Sequence, residues 1–193
     1  MINRLTKILL LAIVVFSSCQ NVQQEEAQVV KLSGNDAELL INTYSNLLLT
    51  VKMAEEAVNR SALPGTRQLA ITIRNDHQAM LDKLEDVANK HKADLPLDLT
   101  PQQLKQWQAL VREKGIAFDK AYAAIVQENH DNNLVVLKSI MSKAENPSLQ
   151  NVAKEINATA INHLQQGEEL QELIENRRSR DTIMEITAVS FKQ

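Results

Sequence analysis

The chain has 193 residues, 44% of them hydrophobic but only 3% aromatic, with four Gly and four Pro. That composition argues against a turn-rich all-β fold and favours long helices. The formal net charge is −3 and no basic cluster stands out, which argues against nucleic acid as a partner; a single cysteine, Cys19, excludes an intramolecular disulfide, so the fold must rest on packing.

The chain opens with a signal-peptide pattern over residues 1–18. Arg4 and Lys7 supply the positive start, Ile8 to Phe16 is a nine-residue apolar run, and Ser17 and Ser18 are the small residues before a cleavage point. The run is too short for a stable spanning helix. Phe16-Ser17-Ser18-Cys19 resembles a lipobox, with Phe16 where Leu is usual. Cys19 is therefore the expected lipidation site, and more than one acyl chain gives durable membrane anchoring. The expected address is the cell envelope, with the outer membrane as first choice. Residues 19–34 read as the lipidated N-terminus and a polar tether.

Residues 35–176 carry the helical domain. The first helix is predicted from about Asp36 to Arg60, with Leu40, Thr43, Leu47, Thr50, Ala54 and Ala57 on one stripe and Ser33 or Asn35 as cap. Leu63-Pro64-Gly65 is a turn. The second helix runs to about Lys92, with Ile73, His77, Leu84, Val87 and His91 on its stripe. Thr100-Pro101 starts a short helix to about Glu113, read as a crossover. The third long helix runs from about Gly115 to Ala144, its stripe holding Asp119, Ala123, Val126, His130, Leu134, Leu137 and Met141. The fourth opens at Pro147 and carries Leu149, Ile156, Ala160, His163, Gly167, Leu170 and Ile174. Residues 177–193 have no clear period and are expected to form an irregular tail. Short links between the first two and the last two long helices imply antiparallel neighbours, hence an all-α, antiparallel four-helix bundle.

The histidines carry the chemical signal. His77, His130 and His163 each fall near the middle of a long helix, about 20 Å from its ends at the helical rise. Each lies on the apolar stripe, so antiparallel packing should bring them to one level. Thr50 is expected to complete that layer from the first helix. Two readings stay open. In one, neutral imidazoles hydrogen-bond to each other, to Thr50, to Tyr122 or to water and fix the register. In the other, they hold one transition-metal ion (Zn, Cu or Fe), with Asp119, Glu128 or Met80 nearby. Arg74, Gln127 and Ala160 stand three residues before the three histidines, so the Glu-x-x-His pairs of di-iron bundles are absent. His91, near a helix end, is read as a surface or rim residue whose charged form the dipole favours. No nucleophile–base arrangement or phosphate loop is readable.

Asp76-His77, Leu95-Pro96, Gly115-x-x-Phe118-Asp119-x-x-Tyr122, His130, Pro147-x-Leu149 and His163-Leu164 together resemble the domain of unknown function 4142 family. The resemblance covers about Asp36 to Ile174 and implies a ferritin-like bundle and an envelope location, with no catalytic activity to carry over. It matches the family's histidines to His77, His130 and His163, and its Phe-Asp pair to Phe118 and Asp119. Thr50 stands where the family usually has Glu, and Asn157-Ala158 where it usually has Leu-Pro. The function read first is that of a non-enzymatic envelope lipoprotein acting through protein contacts, in envelope maintenance or stress tolerance. The alternative is metal binding by the histidine layer.

Overall fold

A computed structural model describes residues 30–190, with side chains described to residue 178. Five helices follow in order: α1 Gly34–Arg60, α2 Pro64–His91, α3 Pro101–Arg112, α4 Gly115–Lys143 and α5 Pro147–Ser190. The described residues contain no strand, and none of their helices is long and apolar enough to cross a membrane.

Local chemistry sets the boundaries. The Ser33 hydroxyl accepts from the Asp36 amide and starts α1. Pro64 opens α2, where its missing N–H costs nothing. The α2 end closes on Lys92 in the left-handed region (φ 52°), a place that favours glycine. Thr100 and Gln103 form a reciprocal capping box at α3. Gly115 begins α4 at φ 56°, which a side chain would strain. No Gly or Pro interrupts the chain after Gly167, and α5 continues to Ser190 instead of stopping at residue 176. The irregular tail expected from residue 177 is thus helical as far as the description reaches.

The long helices form a square in which α1 packs on α2 and α4, and α5 packs on α2 and α4. Every adjacent pair runs antiparallel. α2 and α4 stand diagonally and point the same way, so the chain must return along the bundle between them. α3 does this, lying against α1 and α4. One long crossover in a four-helix bundle is the ferritin-like connection.

The apolar core is split along the bundle. One cluster, including Leu40, Leu47, Leu84, Leu137, Ile140 and Leu149, fills the end where α1 begins. The other, including Met53, Ile73, Leu110, Phe118, Tyr122 and Leu170, fills the end where α1 finishes. His77, His130 and His163 fall between the two in each helix.

Each end is closed by a buried aspartate. Asp36 of α1 accepts from the Glu145 amide at 3.1 Å and from the Asn146 amide at 2.8 Å, holding the α4–α5 turn. Asp119 of α4 accepts from the Ala62 amide at 3.0 Å and the Leu63 amide at 3.4 Å, holding the α1–α2 turn. Backbone donors aimed at a carboxylate are strong partners in a dry setting.

Candidate metal centre

Helical periodicity builds the site. His77 stands four residues after Ile73 and four before Leu81, so α2 carries its ring inward with the stripe. His130 stands four residues after Val126 on α4, and His163 three after Ala160 on α5. All three rings are 1–2% exposed. Gly167 on α5 lies against Val126, where a Cβ would come within 3.3 Å of a Val126 methyl. The missing side chain therefore permits close contact between α4 and α5 one turn from His130 and His163.

The rings form a triangle with centroids 5.1, 5.1 and 5.2 Å apart. His130 Nε2 lies 3.3 Å from His77 Nε2 and 3.2 Å from His163 Nδ1. One nitrogen of each ring lies within 4.8 Å of those of the other two. Ligand atoms at zinc–imidazole bond lengths in a tetrahedron are about 3.3–3.4 Å apart. The two shortest separations match that edge.

The outer nitrogens decide where the protons sit. His130 Nδ1 faces the Val126 carbonyl at 2.7 Å, an acceptor only, so it must donate. His163 Nε2 faces the Asp76 carboxylate at 3.0 Å and likewise donates. In the neutral rings this leaves lone pairs on His130 Nε2 and His163 Nδ1, the two atoms that face each other. His77 Nδ1 is buried with no hydrogen-bond partner among the described residues. Its proton can sit there unpaired, or sit on Nε2 and serve His130. Neither choice puts a proton between His130 and His163.

Burial resists the alternative of charging a ring. Desolvation holds His77 well below the usual imidazole range, and the neighbouring rings add to the effect. Desolvation brings His130 down to about 4, against a partial rise from its Val126 contact. His163 is also lowered by burial, though the Asp76 carboxylate counters part of it. The triad is thus neutral at pH 7, with the lone pairs of His130 Nε2 and His163 Nδ1 facing each other.

A family model described as a domain of unknown function, DUF4142, matches residues 21–170. This chain is a DUF4142 protein. Among solved structures, a DUF305 fragment from Deinococcus radiodurans matches it with a TM-score of 0.66 at 11% identity, covering 74% of this chain and 98% of that one. A protein named as a spore coat protein from Bacillus halodurans C-125 matches with a TM-score of 0.59 at 12% identity, covering 76% and 90%. At such identities both speak for the fold alone. No curated protein matches the chain.

Asp119 and Thr50, expected beside the histidines, have hydrogen-bond partners of their own in this DUF4142 chain. Asp119 is fully buried but spends its carboxylate on Ala62 and Leu63 at the bundle end, away from the histidines; among the described residues it pairs with no basic side chain and does not cap its own helix. The Thr50 hydroxyl is buried and donates to the Asn46 carbonyl of its own helix at 3.0 Å. Tyr122 has a buried hydroxyl with no partner among the described residues, so it does not serve the histidines. His91 is buried rather than on the surface. Asn146 Oδ1 accepts from the Leu149 amide, which turns its Nδ2 toward His91 Nε2 at 2.9 Å. His91 Nδ1 then donates to the Val30 carbonyl, tying the segment before α1 to the α4–α5 turn. The residue that sequence reasoning missed is Asp76. Its carboxylate is 46% exposed yet orients His163, and its place beside His77 in the sequence was the available hint. A carboxylate behind a ligand imidazole fixes tautomer and ring angle. Cys19 lies outside the described residues.

Proposed function

We propose that this protein holds a single transition-metal ion between His77, His130 and His163, on a bundle tethered to the cell envelope through a lipidated Cys19. The observation that supports the ion is the pair of facing lone pairs on His130 Nε2 and His163 Nδ1. A polar layer meant only for register should pair each acceptor with a donor; this one leaves acceptors facing one another, and a cation resolves that. All-imidazole donors suit Zn, Cu, Fe and Ni, with Zn2+ and Cu2+ best matched to three nitrogens lacking a carboxylate. A di-iron centre does not fit, because the described cluster contains no carboxylate. The lipobox supports the tether, and the polar stretch of residues 20–33 gives it reach.

The test is metal analysis of the full chain, with melts of chelated protein before and after adding Zn2+, Cu2+ or Fe2+. An ion at a thousand times its Kd stabilises by about 4 kcal/mol. His130→Ala should abolish the shift and the retained metal. A melting point unmoved by every ion, or moved equally in His130→Ala, would rule the site out. For the tether, Cys19→Ser should release the protein from membranes and end lipid labelling. A variant that stays lipidated sinks that half of the reading.

A further inference from the structure

A cleft lies where α3 packs against α1 and α4. It has a volume of about 310 Å3, and ten of its eleven lining residues are Asn, Gln, Ser or Thr, with Leu49 the exception. Among the described residues, no charged and no aromatic side chain lines it. That lining differs from the rest of a surface whose chain is 23% charged.

The cleft has a fixed base. Gln103 is buried; its Oε1 accepts from the Ser45 hydroxyl at 2.9 Å and the Thr100 amide at 3.0 Å, and its Nε2 donates to the Ser45 carbonyl at 3.0 Å. Asn46 Nδ2 donates to Asn133 Oδ1 at 3.1 Å, which fixes both amides. Above this base stand Asn42, Gln102, Gln106 and Asn132, whose side chains are exposed and have no hydrogen bond within the described protein. The cleft thus combines a pre-set polar floor with a rim of unspent amides.

The lining selects by chemistry. A charged ligand would lose hydration without an opposite charge to meet. A fatty ligand would find almost no apolar wall. A nucleobase would find no ring to stack on. A primary amide offers a donor and an acceptor side by side. Adjacent hydroxyls offer the same complement, and several amides around one cleft can take several hydroxyls at once. The volume sits at the lower end of small-molecule clefts, about 300–1,000 Å3. We propose that this cleft binds a small neutral polyhydroxyl ligand, a sugar or a polyol. Such a ligand keeps its hydrogen bonds when it displaces the water that otherwise occupies a polar cleft. The inference stands apart from the metal site and shares none of its ligands.

The full chain, isotope-labelled on its amides and held in a detergent without a sugar head group, would be titrated with glucose, N-acetylglucosamine, sorbitol and a trialanine amide. Probes would reach about 50 mM, above the millimolar Kd expected of a few neutral hydrogen bonds. The side-chain amides of Asn42, Gln106 and Asn132 should shift saturably with a sugar or with sorbitol, which tells the ring from the open chain. Asn59, on the far part of α1, should not move. The Gln106→Ala Asn132→Ala double variant should bind at least tenfold more weakly with an unchanged melting point. The proposal fails if no hydroxylated probe gives saturable shifts, if Asn59 shifts equally, or if the double variant binds as well. It also fails if only the peptide amide binds.

Discussion

Three imidazoles at the waist and two carboxylates at the ends are all polar groups sealed inside one bundle, yet they meet opposite surroundings. Asp36 and Asp119 each face backbone N–H groups of a turn, so every buried charge has donors at hand. The histidines face one another, and the nitrogens between His130 and His163 are both acceptors. Complementary polar contacts of the first kind lock a fold. Opposed contacts of the second kind cost stability until something arrives to relieve them. On the proposed reading, the contrast separates residues that build the molecule from residues that would hold a metal ion.

The comparison breaks most sharply on mutation. Asp119→Ala or Asp36→Ala leaves partly buried turn amides without their acceptor and should cost about 2 kcal/mol in urea unfolding. Loss below about 1 kcal/mol would mean that the turns do not depend on these carboxylates. The triple variant His77→Leu, His130→Leu, His163→Leu should act with the opposite sign. In chelated protein it should stabilise by about 1–3 kcal/mol, because an apolar layer replaces an unsatisfied one and joins the two core clusters. If it destabilises as the aspartate variants do, the layer is a satisfied structural element and the contrast drawn here is wrong.

Acidity gives a smaller, graded effect. The histidines have folded pKa values below their unfolded value, so the unfolded chain takes up protons first as pH falls. Their contribution is complete above about pH 6.5 and falls as the pH drops below it, the His130 share being lost by about 4. Chelated protein should lose up to about 1.4 kcal/mol per pH unit for each histidine in transition. The triple Leu variant should show a flatter profile over that window, measured by urea unfolding at each pH. The smallest change lies away from both regions: Lys92→Gly relieves a left-handed backbone and should add about 1 kcal/mol. A neutral or negative result would show that the Lys92 side chain contributes something that glycine lacks.

Much of this was legible in the chain before any coordinates. The stripes of α1, α2, α4 and α5 announce themselves because burial on one helix face demands a period near 3.6. The level of His77, His130 and His163 follows from that period together with their mid-helix positions. What stayed hidden depends on partners without a side-chain signature. Asp119 looks like a candidate ligand because it shares the stripe with His130, but its partners are backbone amides fifty-seven and fifty-six residues earlier. Asp36 stands in the sequence as no more than the start of a helix, and its partners lie 109 and 110 residues on. His91 misled in the same way, since a helix end is usually wet and this one is covered by the segment before α1. Thr50 was correctly read as buried, but a threonine in a helix can satisfy itself on the carbonyl four residues back. The amides around Gln103 were passed over because exposed Asn and Gln look like ordinary solvated residues until a fold gathers them.

The spacing of the three rings along the chain has one more consequence. His77 and His130 are fifty-three residues apart, and His130 and His163 thirty-three. An ion joining them would close two long loops at once in a chain with a single cysteine, and closing loops of that length restricts the unfolded chain as a disulfide does. The difference is reversibility: such a cross-link would be drawn tight or let go by the supply of metal around the protein, without thiol oxidation or reduction.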